Sequence, residues 1–244
     1  MNKNVLNFTA IALFGLCAPL AVNAGSYQGE LNATLANVDV DGGSSENLWG
    51  IGGEFYFAPV NTEGHPLAEA AYLEWASGVH ASYVSQDGGD VSSTNIGAKG
   101  YIPNSIIYLG ADYTRVDYDN GDSNTWSFTG GVRLIENLLL TTTYNDDTGY
   151  DLNVSAKYVA KISGNQAVNI YGSFVNDDNN SFTLGGDYYF TPKTGVGVKI
   201  DDYGSTSDYT FNVSHFFTEE LYLRGFYTSG EYSDTFGLKG GWRF

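Results

Sequence analysis

Apolar and polar positions alternate with period two along nearly the whole chain after residue 24, the pattern of strands with one apolar face. Phe236, Leu238, Gly240, Trp242 and Phe244 share one face, and Gly237, Lys239, Gly241 and Arg243 share the other. Tyr209, Phe211, Val213, His215 and Phe217 alternate with Thr210, Asn212, Ser214 and Phe216. The same holds from Trp126 to Leu134, from Tyr150 to Tyr158 and from Phe182 to Phe190. No stretch carries a convincing helical period. The best candidate for a helix is Leu67 to Leu73, directly after Pro66.

Clusters of Gly, Pro, Asn, Asp and Ser interrupt the alternation at thirteen places. Among them are Asp41-Gly42-Gly43, Asn61 to Pro66, Pro103-Asn104, Asp119 to Asn124, Glu136-Asn137, Thr191 to Thr194 and Gly230 to Ser233. Thirteen turns divide the chain into fourteen strands, or about 16 residues per strand and turn over the 220 residues after position 24. That suits strands of ~9–11 residues crossing a bilayer with short connections. The expected fold class is all-β: a transmembrane antiparallel up-and-down β-barrel of about 14 strands, with 12 or 16 as alternatives, and short turns on both sides. The turn around Asn61 is the exception, an excursion as far as Ala76 that holds the helix candidate. Counting Leu67–Ala76 as a strand would make the number odd.

A soluble sandwich would also alternate, but the apolar faces here are bounded by aromatics. Tyr150 and Tyr158, Phe182 and Phe190, and Tyr209 and Phe217 are each spaced eight residues apart. Such pairs sit at the two ends of an apolar band ~25 Å tall, as interfacial girdles do. The opposite faces carry Gly, Ser, Thr, Asn and charge. An even strand count allows closure, and a closed barrel leaves no unpaired backbone edge in lipid.

Composition adds a compartment. Lys3, the apolar run from Val5 to Leu20 and the small-residue site Val22-Asn23-Ala24 predict a signal peptide over residues 1–24, cleaved after Ala24, with one barrel domain over 25–244. Cys17, the single cysteine, falls inside that segment, so no disulfide is expected in the mature chain. The chain has 28 acidic and 11 basic residues, a formal charge of −17, and only 16% charged residues. Nucleic acid is excluded as a partner, because no phosphate-neutralising patch exists. If both termini face the periplasm, 18 of the 28 acids fall in or beside outward turns.

The lumen-facing positions expected to line a pore are Glu30, Glu54, Lys99, Asp112, Arg133, Lys157, Asp187, Lys199, Arg224, Lys239 and Arg243. A barrel of this size is wider than the ~8-strand case that side chains fill, so its centre should be wet. Tyr171, Tyr189, Phe216 and Tyr222 are the side chains that could narrow it. Passive passage of small hydrophilic solutes and ions is the function this supports. A structural barrel plugged by its own side chains is the alternative. An enzyme is the least supported reading: of His65, His80 and His215, only His80 could reach the lumen, and no serine–acid set is evident around it. No catalytic residues, metal site or cofactor are expected.

The last strand, with Phe236, Leu238, Trp242 and a terminal Phe244, resembles the terminal signal of outer-membrane barrels. That resemblance implies reading by the outer-membrane assembly machinery. The segment Glu54-Phe55-Tyr56-Phe57-Ala58-Pro59-Val60, followed by Gly64-His65-Pro66-Leu67-Ala68-Glu69-Ala70-Ala71-Tyr72-Leu73, resembles the "putative general bacterial porin" family of gamma-proteobacterial type. The resemblance implies a channel in the bacterial outer membrane, bounded by lipid and lipopolysaccharide. A long third outward loop that folds in to narrow the pore is absent from the sequence, and the lack of a latch loop favours a monomer.

Overall fold

The computed structural model describes residues 25–86, 90–146, 152–176 and 180–244. The expected signal segment and Tyr150 lie outside the described residues. Fourteen strands form: β1 Ser26–Val40, β2 Glu46–Asn61, β3 Gly78–Gln86, β4 Val91–Tyr101, β5 Ile107–Tyr118, β6 Gly121–Ile135 and β7 Leu138–Asn145 make the first half. β8 Leu152–Ser163, β9 Gln166–Asn176, β10 Ser181–Thr191, β11 Thr194–Asp202, β12 Ser207–Phe216, β13 Leu221–Ser229 and β14 Ser233–Arg243 make the second. Each pairs antiparallel with its sequence neighbours, and β1 pairs with β14, closing the barrel. The seam is continuous, from Glu30 opposite Arg243 to Val40 opposite Ser233. Phe244 ties it off, its amide donating to Gly29 O at 2.9 Å and its carbonyl accepting from Gly29 N at 2.8 Å. No sheet edge is left for lipid to desolvate.

The distribution of apolar residues is inverted relative to a water-soluble domain. Among the described residues ten hydrophobic side chains are buried, while thirty-nine large ones are exposed. The exposed set follows the period-two faces read from the sequence: Trp126, Phe128 and Leu134 on β6, Phe182, Leu184 and Phe190 on β10, and Phe236 and Leu238 on β14. An outer surface of this kind is stable only against hydrocarbon. The paired aromatics at Phe182/Phe190 and the Tyr209/Phe217 pair stand outward at the two ends of this surface.

The ladders run further than the turn signals suggested. Asp119 to Asn124 reads as one broad turn, yet β5 and β6 pair up to Tyr118 opposite Gly121, leaving a two-residue hairpin loop. β1, β2 and β6 span 15, 16 and 15 residues, more than the ~9–11 that a bilayer needs. Asp39, Glu46, Asp117 and Asp122 therefore lie in strand ends beside the outward turns. Hydrophilic strand ends continue the ladder in water because main-chain pairing does not require an apolar face.

The longest departure from strand is the β2–β3 connection, residues 62–77. After Pro66 it forms a 3-10 turn, Leu67–Glu69, and one helical turn, α1 Ala70–Leu73. A helix of four residues has no stability of its own, so its surroundings must hold it.

Candidate functional site

Those surroundings are the inside of the barrel. The 62–77 connection folds in from the end that carries both termini and the short turns, the periplasmic end of an outer-membrane barrel. It touches strands around most of the circumference. Ala70, fully buried, packs among Tyr27, Tyr56 and Val60 of β1 and β2. Leu67 packs on Phe216 of β12 and Tyr222 of β13. Glu69 is 5% exposed; it accepts a hydrogen bond from Tyr189 Oη of β10 at 2.7 Å and pairs with Lys157 Nζ of β8 at 2.7 Å.

Two arginines clamp the main chain of this plug. Arg243, on β14, donates through Nη1 to Leu67 O at 2.8 Å and through Nε to Glu30 at 2.8 Å. Arg133, on β6, donates through Nη2 to Tyr72 O at 2.5 Å, through Nη1 to Glu136 O at 2.7 Å and through Nε to Tyr101 Oη at 3.0 Å. Its guanidinium lies 4.1 Å from the centroid of Tyr72 and 4.7 Å from that of Trp75. A rigid fork of donors suits this better than a point charge does. Trp75 holds a left-handed backbone, φ 55°, a conformation that costs a bulky residue about 1–3 kcal/mol and persists only where surroundings impose it. Its ring is held against Tyr101, 5.2 Å between centroids. Tyr72 completes the seat: its hydroxyl lies 2.7 Å from Lys157 O and 3.0 Å from Asn137 O. Burial pushes its phenol up to about 12, against the opposing pull of the Arg133 charge.

On the outward side of the plug lies a cavity of about 580 Å³, floored by Ala68 and Glu69 and walled by residues of β7 to β10 and β12 to β14 and by Glu30 of β1. A second hollow, bordered by Leu67 and His65, opens on the periplasmic side. Residues 67–69 therefore stand between the two.

Of the charged positions read from the sequence, Glu30, Lys157, Asp187, Arg224, Lys239 and Arg243 border the outward cavity. Most are tied. Glu30 takes Arg243 and Tyr222 Oη, each at 2.8 Å. Asp187 accepts from the Asn169 and Asn212 amides at 3.0 and 3.5 Å. Lys199 pairs with Asp201 at 2.5 Å. Across the bore, Lys99 pairs with Glu54 at 2.8 Å and Asp112 bonds His80 Nε2 at 2.8 Å. Arg133 and Arg243, expected as solvated wall charges, are 1% and 5% exposed, because the plug covers them. Two of the aromatic side chains that could narrow the bore, Tyr171 and Tyr222, instead lie flat on the wall. The ring of Tyr171 covers Gly185, where an added Cβ would come within 2.4 Å, and that of Tyr222 covers Gly241 at 2.2 Å. Each ring sits opposite its glycine in the ladder, the pairing in which a large ring shields a bare backbone.

The model of the family described as "Putative general bacterial porin" matches residues 1–147, more than half of the chain. This chain belongs to that porin family. The porin is also similar in structure to the outer membrane protein Omp33 of Acinetobacter baumannii, with a TM-score of 0.81 and 23% identity over 91% of this chain and 100% of that one. At that identity the likeness speaks for the fold. A KdgM porin, solved in complex with disordered oligogalacturonate, is similar at 10% identity and a TM-score of 0.47, covering 88% of this chain and 99% of that one. No curated protein matches the chain. Family and fold together make this porin an outer-membrane protein. The plug is what sequence reading of the porin missed. Pro66 and a short apolar run marked a helix but gave no sign of which way the connection folds.

Proposed function

We propose that this porin is a passive diffusion channel for small hydrophilic solutes and ions, with its narrowest point where residues 67–73 cross the periplasmic end. The observation that carries this reading is the cavity of about 580 Å³ inside a closed barrel, with charged, amide and hydroxyl groups in its wall. Such a space is large enough to hold many waters, and it offers them polar partners. Its wall mixes charged, amide and hydroxyl groups, the lining that passes hydrated solutes. The family and the fold are those of a channel rather than an enzyme.

A side-chain-plugged structural barrel is the second reading, and the seated plug is the observation that favours it. Planar-bilayer recording on heat-modifiable, folded protein separates the two. Discrete conductance steps are expected. Folded protein that inserts and yields no steps would overturn the channel reading and leave the structural one.

A further inference from the structure

The cavity outside the plug contains two cations that no ion pair or hydrogen bond holds among the described residues. Its four basic residues are Lys157, Arg224, Lys239 and Arg243. Lys157 is paired with Glu69 and Arg243 with Glu30. Arg224 and Lys239, among the described residues, have no ion pair and no hydrogen bond. They are directly opposite each other in the β13–β14 ladder and both are half-buried. Like charges at opposed positions destabilise a sheet, and burial of each cation adds to that.

The surroundings fix the pair rather than relieve it. Two residues toward the periplasm, the Tyr222 ring lies flat on Gly241; two residues outward, the Phe226 ring lies flat on Gly237, where a Cβ would meet it at 2.2 Å. Between these flattened rings Arg224 and Lys239 are the groups that project. The nearest carboxylate on the same wall, Glu30, is already engaged by Arg243 and Tyr222. Of the cavity's other two acids, Asp187 is held by two amides and Glu69 by Tyr189 and Lys157. Ser214, opposite Arg224 on β12, and Tyr171 add hydroxyls to the same cavity.

We infer that Arg224 and Lys239 form an anion-binding subsite of the lumen, which takes a small hydroxylated solute bearing a carboxylate or phosphate. An oxyanion between them would accept the Arg224 fork and the Lys239 ammonium at once, both charge-assisted bonds, and would remove their mutual repulsion. Ser214 and Tyr171 would meet the solute's hydroxyls. This deepens the channel reading and rests on it for solute flow, but the binding step does not require conductance.

The test uses the folded full-length mature chain in detergent, titrated calorimetrically at low ionic strength with inorganic phosphate and separately with succinate. Saturable binding is expected, weakened about tenfold or more in R224Q/K239Q by loss of two charged partners. K161Q/K193Q, which removes the same charge from exposed periplasmic-side lysines, should bind as the parent does. Preference for one probe assigns the carboxylate or the phosphate as the recognised group. Absence of saturable binding, or equal binding by R224Q/K239Q, overturns the subsite. Binding without bilayer conductance keeps the subsite and ends the channel reading; conductance without binding does the reverse.

Discussion

Arg133 has no carboxylate partner among the described residues, and its charge is dispersed over two carbonyls, a phenol and three aromatic faces. It sits where β6 meets the plug. Replacing it by Gln would leave Tyr72 O without its donor, a loss of about 1–3 kcal/mol for a buried group, and would remove the stacking of a cation on Tyr72 and Trp75. The barrel ladders do not depend on it. R133Q is therefore expected to keep the heat-modifiable mobility of the folded barrel while raising single-channel conductance. R133K should fall between, since it keeps the charge and loses the fork. Unchanged conductance in R133Q would mean that this clamp does not set the constriction.

The plug illustrates how an element can be specified by its neighbours. α1 has four residues and no side-chain cap, so propensity alone would not maintain it. Contacts distant in sequence do. Glu69 meets Tyr189 across 120 residues, and Leu67 O meets Arg243 across 176. The strands, by contrast, are held by ladders that continue on either side of the connection, β2 with β1 and β3 with β4. Replacing residues 64–74 by a short Gly-Ser turn should leave a barrel that resists SDS before heating. Bilayer conductance should rise several-fold, because the segment between the two hollows is gone. Failure of that variant to fold would show that the plug is part of the barrel's stability rather than a constriction placed inside it.

At the scale of the whole molecule, charge follows topology. The acidic groups concentrate at the end of the barrel opposite the termini, where Asp39, Asp41, Glu46, Asp117, Asp122 and Asp234 stand in or beside the hairpins. This end should face the medium. A cysteine at Ser205, in the β11–β12 turn, should react with a membrane-impermeant maleimide added to intact cells. One at Lys193, in the β10–β11 turn, should react only after the outer membrane is opened. Early labelling at Lys193 would invert the topology and with it the assignment of the plug to the periplasmic end.

The sequence by itself determined the class of fold, a strand number of about fourteen with 12 and 16 still open, and the faces of the strands that alternate clearly. Period-two alternation is a local property, and lipid imposes one rule on every strand: apolar side out, backbone paired. That is why Trp126, Phe211 and Phe236 could be placed from their neighbours alone. The sequence also put Glu30, Arg133, Arg224 and Lys239 on inward faces by parity. It could not say which of these charges would be covered, paired or left alone. Arg133 is buried because a connection some sixty positions earlier in the chain folds against it, Tyr72 being 61 residues away. Among the described residues Arg224 has no ion pair, since Glu30, 192 residues from Tyr222 along the chain, is already satisfied there. Those outcomes depend on closure of the barrel, which brings β1 beside β14 and gives the plug a cavity to enter. Closure is a non-local event, and the interior chemistry exists only once it has happened.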